Sequence, residues 1–310
     1  MTLRQLEVFL AVAREKSFSL AAKKVHSSQP TLSEHIGELE RELGKHLFFR
    51  RGRRREVAVT EAGRVFAQFA ERAISAVEGA RQALADLDGL EHGSLLIGAS
   101  TTPGLYVLPR VVAAFRTRYP GVDVKLQIAN SQAIEGRVRE RELDLGIVGG
   151  YAPRPGEECL TAGMPDELVL IVSPEHAWAR RRDIPPQALV DQPVLMREAG
   201  SATREVTERA LQRAHVKFQV AMELDHTEAI KQGVMAGLGV AFVSTYAVQG
   251  EIATGRLHAL RLRGLRVQRH FHVIHHEART VTASARAFMA LLDQMARRPR
   301  VALSAHAVVE

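Results

Sequence analysis

The sequence holds one cysteine, Cys159, so it cannot close an intrachain disulfide or assemble a multi-thiolate zinc site. A fold that depends on neither suits a reducing compartment, and a cytoplasmic location is expected. No apolar run approaches the ~18 residues that a membrane-spanning helix requires. The longest, around GLGVAFV, is strand-sized, so no membrane partner is expected. The opening stretch MTLRQLEVFLAVAREKS spaces acidic and basic residues through its apolar positions, unlike the uninterrupted core of an export signal. GxSxG, HExxH, CxxC and the Walker phosphate loop are all missing, so no motif marks the chain as an enzyme and no catalytic residue is assigned.

At ~150 residues per domain, 310 residues predict about two domains with room for a sizeable core. Hydrophobic residues make up 46% and charged ones 25%, a globular balance that excludes wholesale disorder. The net charge of +7 favours polyanionic partners such as nucleic acid, anionic lipid or acidic metabolites.

Leu3, Leu6, Phe9, Leu10 and Ala13 recur at helical spacing and predict a helix over about 2–14. Phe18, Ala21, Ala22 and Val25 define a short second helix. A third opens after the turn His26-Ser27-Ser28, with Pro30 in its first turn, Leu32, Ile36, Leu39 and Leu43 on its apolar face, and Gly44 as its stop. In LFFRRGRRREVAVT, five arginines surround one glycine and lead into an alternating segment, which predicts a basic hairpin, or wing. From Thr60 on, Phe66, Phe69, Ala73, Ala76, Ala80, Ala83, Leu87 and Leu90 alternate steps of three and four, as in a coiled-coil seam. Such a helix is too long for one small domain to cover, so a second copy of the chain is expected against it.

Beyond Gly93, strand-like runs (SLLIGAS, VDVKLQIA, LDLGIVGG, LVLIVSP, PVLMRE, FQVAMEL, GVAFVS, HFHVIHH) alternate with helical ones. This predicts α/β organisation with mainly parallel sheets, and a break at Leu160 to Pro165 predicts two lobes. The tail after Arg297 has no regular pattern and is expected to fray.

The start of the third helix carries Ser28, Gln29, Pro30, Thr31, Ser33 and His35 opposite or beside the apolar stripe. Small hydroxyls and an amide there can reach base edges in a major groove, where glutamine pairs bidentately with adenine. Ordinary capping explains the same residues equally well. The neighbouring charge favours the groove: residues 1–65 hold thirteen basic and eight acidic side chains, +5 of the total +7. Phosphate contacts by such residues make binding salt-dependent.

The stretch AAKKVHSSQPTLSEHIGELERELGKHLFFRR, with LRQLEVFLAVAREKSFSLAA before it and VAVTEAG after it, resembles the N-terminal signature of the LysR-type transcriptional regulators. Val25 stands where leucine is more usual, a swap between core residues. The resemblance implies an N-terminal all-α winged helix-turn-helix with a long linker helix, then a C-terminal α/β two-lobed effector domain similar to periplasmic solute-binding proteins. The corresponding divisions are 1–60, 61–91 and 92–297, with a flexible tail at 298–310. It implies Gln29, Pro30, Thr31 and Ser33 in the groove of double-stranded promoter DNA, with Arg50, Arg51 and Arg53 of the wing on the backbone or in the minor groove; Arg54 beside them is a further DNA-binding candidate by its charge. It also implies dimers through the linker helix, tetramers built from them, and DNA bending that a small molecule shifts.

Ligands of α/β sheets sit beyond the carboxyl ends of strands, often at helix N-termini that bind anions. In the family these strand ends line the cleft between lobes. The expected site therefore draws on Ser100, Thr101 and Thr102 after SLLIGAS, and on Asn130 and Ser131 after QIA. MREAGSATREV adds Ser201, Thr203 and Arg204, with Thr227 as a further wall. Hydroxyls, backbone amides and an arginine fit a small anionic metabolite, as in family members that sense central-metabolism anions. Plain N-capping is the competing explanation for each hydroxyl. No cofactor or metal is expected: His270, His272 and His276 read as a solvated strand face, GLGVAFV lacks GxGxxG, and Cys159 has no second cysteine to resolve a sulfenate. A solute-binding module and an enzyme in a two-lobed cleft stand as alternative classes.

Overall fold

The computed structural model describes residues 1–49, 57–87, 93–150, 155–181, 184–296 and 308–309. The chain divides into two compact units, Met1–Leu84 with Ala278–Thr280, and Ala85–Glu277 with the residues from Val281 onward.

The first unit is helical. α1 (Leu3–Glu15) opens on a capping box: the Thr2 hydroxyl accepts from the Gln5 N–H at 3.2 Å, and Gln5 Oε1 accepts from the Thr2 N–H at 2.8 Å. α2 (Phe18–Lys24) and α3 (Gln29–Leu43) follow, and Gly44 ends α3 in the left-handed region. Leu6, Phe9 and Leu10 meet Ala21, Ala22, Leu32, Ile36 and Leu39 in one core. Fully buried side chains such as Phe9, Leu32 and Leu39 each contribute about 1.5–3 kcal/mol. β1 (Phe48–Phe49) pairs antiparallel with β2 (Ala58–Val59), which forms the base of the expected wing. The wing arginines Arg50, Arg51, Arg53 and Arg54 lie outside the described residues.

α4 (Glu61–Leu87) is the expected long helix. Its seam needs one correction. Phe66 packs edge-on against Phe9 with ring centroids 5.0 Å apart, so it belongs to the core of its own unit. The stripe left open begins at Phe69, which is 59% exposed, and continues through Ala73, Ala76 and Ala80.

In the second unit, β3 (Gly93–Ser100) lies parallel to β4 (Val122–Ala129) and β5 (Leu145–Gly149). β11 (Val267–His276) runs antiparallel to β5 and to β6 (Glu157–Val172). β6 also pairs antiparallel with β9 (Ala241–Ser244) and β10 (His258–Leu260), while β7 (Pro193–Arg197) and β8 (Gln219–Leu224) form a separate parallel pair. Val308–Val309, as β12, adds a parallel edge to β10. The sheets are therefore mixed, not mainly parallel.

The reason is the long β6–β11 pair, which passes from one core to the other. Met164 and Phe271 belong to a core with Ile97, Phe115 and Phe288. Leu168 and Val267 belong to another with Leu170, Trp178 and Phe242. Two lobes thus exist, yet the chain does not leave the sheet at Leu160 to Pro165: β6 crosses this stretch as strand, and the irregularity is confined to two shifts of its register with β11 between Met164 and Cys159. Helices cover both lobes: α5 (Thr101–Tyr106), α6 (Leu108–Arg118), α7 (Ser131–Arg139), α8 (Ala202–Arg213), α9 (Thr227–Met235), α10 (Thr245–Ala253) and α11 (Ala283–Ala296). Among the described residues, no helix is long and apolar enough to cross a membrane.

Candidate functional site

The N-terminal turn of α3 presents Ser28, Gln29, Pro30 and Ser33 to solvent, with Thr31 and His35 half-buried. Leu32, Ile36 and Leu39 face the core, so the polar residues are turned outward by helical period alone. Ser28 does cap: its Oγ accepts from the Thr31 N–H at 3.2 Å and lies 2.7 Å from Thr31 Oγ1. Gln29 Oε1 accepts from the Ser19 hydroxyl at 2.9 Å, which aims the amide from the α2 side. Glu40 carries a task that the sequence did not disclose. It is buried, and its Oε1 accepts from the N–H groups of Leu47 (2.7 Å) and Phe48 (3.2 Å), tying the wing's first strand to α3.

The second site lies between the lobes. Ser100, Thr101, Thr102, Asn130, Ser131, Ser201 and Thr203 line one cleft, together with Ala202, Arg197 and Arg269. Seven of the nine residues expected there are brought together. Thr227 stands behind: its Oγ1 accepts from Arg197 Nη1 at 2.8 Å. Arg204 does not line the cleft. Its guanidinium turns to Glu208 (2.8 Å), to Glu223 and to the Arg197 carbonyl (3.1 Å), fastening α8 to β7. Those carboxylates hold its already high pKa higher still, chiefly through the hydrogen bonds from Glu208 and Glu223.

Arg197 and Arg269, 4% and 6% exposed, supply the buried charge instead. Arg269 donates from Nε to Asp166 (2.8 Å), from Nη1 to Thr203 (3.0 Å) and from Nη2 to Thr102 (3.1 Å). Three of its five N–H donors are engaged, which leaves two. Arg197 bonds Glu198 through Nε (2.7 Å) and Nη2 (3.0 Å), and Nη2 also reaches Thr101 Oγ1 at 3.3 Å. Neither arginine was expected in the site. The signal for Arg269 was present in the period-2 pattern of β11, where it alternates with exposed Gln268 and His270 and so sits on the buried side with Val267 and Phe271.

The chemical consequence follows from hydroxyl valence. Thr101, Thr102 and Thr203 each accept an arginine N–H, so each must aim its own hydrogen elsewhere, and among the described residues none donates to a protein group. Capping accounts for Asn130, which accepts from the Ala133 N–H at 3.0 Å. It does not account for Ser100 or Ser201, which make no side-chain bond to the helices they precede. Ser131 Oγ is buried with no hydrogen-bond partner among the described residues. Six hydroxyls, two helix N-termini (α7 and α8) and two arginines thus converge as donors.

The lobes also touch through other groups. A Cβ on Gly200, whose φ is +84°, would meet Gln132 Oε1 at 2.5 Å, and the Gln132 N–H donates to the Gly200 carbonyl at 3.1 Å. Only glycine allows that approach. Tyr106 of α5 donates its hydroxyl to Glu228 of α9, and burial, then this bond, push its phenol well above the usual range. The histidines read as a solvated strand face are only partly so: His270 is exposed, His272 half-buried and His276 buried, because the strand turns into the core at its end; among the described residues no group of three His, Cys, Asp or Glu is placed to hold an ion.

Fold and sites together define a helix-turn-helix regulator joined to a two-lobed effector-binding domain. The family descriptions that match are "Bacterial regulatory helix-turn-helix protein, lysR family" over residues 3–64 and "LysR substrate binding domain" over residues 88–297. The chain belongs to the LysR family of transcriptional regulators. A "Probable RuBisCO transcriptional regulator" of Cyanophora paradoxa is 36% identical over 292 residues, 93% of this chain and 90% of that protein. The regulatory domain of CcmR from Synechocystis, solved in complex with 2-PG, is 28% identical with a TM-score of 0.63, and covers 67% of this chain and 99% of its own. A full-length OxyR variant from Pseudomonas aeruginosa shares the fold at 23% identity, with a TM-score of 0.72 over 95% of this chain and 94% of its own.

Proposed function

We propose that this regulator senses a small anion in the interlobe cleft and alters its grip on promoter DNA in response. The observation that carries the reading is the ring of hydroxyls whose oxygens already accept from Arg197 and Arg269, leaving their hydrogens to donate. Such a ring recognises a phosphate or carboxylate better than a neutral sugar or an apolar ring. That the similar CcmR domain carries 2-PG, an anionic metabolite, supports the same class of ligand. The lining holds no histidine or carboxylate to act as a base, which favours binding over turnover.

The cleft as it stands encloses about 10 Å³, room for about one water. An anion of several heavy atoms must therefore move the lobes apart or reseat them, and that movement is the event a regulator can read. On the DNA side, Ser28, Gln29, Pro30, Thr31, Ser33 and His35 are assigned to the major groove, and Arg50, Arg51, Arg53 and Arg54 to phosphates or the minor groove. The open stripe of α4 from Phe69 to Ala80 supports pairing with a second copy, and tetramers of such pairs would bend the promoter. A cytoplasmic location follows from that work.

Calorimetry of the full chain with 2-PG, paired with promoter footprinting, tests the reading. Saturable binding that shifts the footprint is expected; a footprint unchanged at ligand saturation would remove the effector role.

A further inference from the structure

Arg269 also forms part of a second recess, of about 290 Å³, the size of a small-molecule cleft. One wall is a stripe of α8 carrying Val206, Arg209, Ala210 and Arg213 at helical spacing. Opposite stand Arg266 and Gln268, which flank buried Val267 and so project to one side. Gly150 closes the end. Its φ is +62°, and a Cβ there would lie 2.8 Å from Val206 Cγ2 and 3.7 Å from Arg209 Nη2.

Among the described residues, no carboxylate lines this recess. Arg209 has Glu205 Oε2 at 4.0 Å and donates from Nε to the Glu205 carbonyl at 3.2 Å, a half-exposed pair that neutralises little. Among the described residues, the guanidiniums of Arg213 and Arg266 make no hydrogen bond or ion pair. Arg213 gains from the C-terminal end of α8, whereas Arg209 and Arg266 do not. Like charges four apart on a helix repel, and a third guanidinium facing them adds to that repulsion. A guanidinium fork matches a phosphate bidentately, so an anion would relieve the repulsion and satisfy the free donors together.

We propose that this recess is a second anion site, taking a small molecule through a phosphate or diphosphate group held by Arg209, Arg213 and Arg266, with the Gln268 amide beside it. It differs in chemistry from the interlobe cleft. There, buried arginines are neutralised by Asp166 and Glu198 and act through hydroxyls; here Arg213 and Arg266 are exposed and without an ion-pair partner among the described residues, and Arg209 is only weakly paired, which favours a more highly charged ligand.

Full-length protein titrated with inorganic pyrophosphate by calorimetry tests the proposal. R213E/R266E is expected to weaken one binding event at least about tenfold, and R213K/R266K to retain most of it. Both residues are exposed, and circular dichroism checks that the variants fold. Ser131→Ala, which alters only the interlobe cleft, is expected to leave this event unchanged. Unaltered pyrophosphate affinity in R213E/R266E, or loss with Ser131→Ala instead, would overturn the site. So would a variant that releases promoter DNA while still binding pyrophosphate normally, since the recess would then grip the duplex backbone.

Discussion

Arg269 Nε donates to Asp166 Oδ2 at 2.8 Å, and the two side chains are 3% and 0% exposed. The pair sits where β6 and β11 cross between lobes, with the Ser244 hydroxyl donating to the other oxygen of Asp166 at 2.6 Å. Removing one partner strands the other charge in a low-dielectric interior. Asp166→Ala is therefore expected to destabilise the domain by about 3–5 kcal/mol in urea unfolding, far beyond a surface ion pair. A loss under about 1 kcal/mol would mean that water reaches Arg269 freely.

Ser131 separates binding from folding. Among the described residues its hydroxyl has no partner, so Ser131→Ala should change stability by no more than ~0.5 kcal/mol. Affinity for a small phosphate-bearing anion should drop by about 1–3 kcal/mol, the range for a hydrogen bond to a charged group. Thermal unfolding and calorimetry on the same variant check both halves.

Glu40 governs the wing from beneath. Glu40→Ala leaves the Leu47 and Phe48 N–H groups buried without their acceptor, at about 1–3 kcal/mol each. Weaker DNA retention with an intact effector response is the expected outcome in mobility-shift assays.

Gln29→Ala should cost about 1–3 kcal/mol of discrimination between the matched site and one with an altered base pair. Its affinity for unrelated duplex should stay near that of the parent. Competition footprinting reads the difference; equal losses on both duplexes would make Gln29 a backbone contact.

His272 gives the effector domain an acid-sensitive element. Burial, and secondarily the neighbouring His270, hold its pKa below the ordinary 6.5. As pH falls below about 6.5, the unfolded chain takes up a proton that the native state refuses, so stability declines until pH passes the depressed folded value. His272→Asn should flatten that decline in urea midpoints measured between pH 7 and 5.

Helical period disclosed the three helices of residues 3–43, with Ser28 and Gly44 at their ends, because caps and amphipathic stripes are local. Strand ends likewise pointed to Ser100, Asn130 and Ser201. Only the second half of β6 was legible, as LVLIVSP: EECLTAGMPDE shows no alternation and contains Pro165, and it is strand because β11 pairs along it. Phe66 fits the seam by spacing yet packs on Phe9, since steps of three and four do not say which partner a face will meet.

The cleft shows the same division. Sequence alone could place hydroxyls at the mouths of helices, as N-terminal turns are written in a few neighbouring residues. It could not choose among the arginines. Arg204 stands beside the expected residues along the chain, yet Arg197 and Arg269 enter the cleft, because threonines and, for Arg269, the Asp166 carboxylate, all far away in sequence, meet them only once the lobes have packed. Local propensity settles where a turn or helix begins; where a charge can be buried depends on partners that only the folded chain assembles.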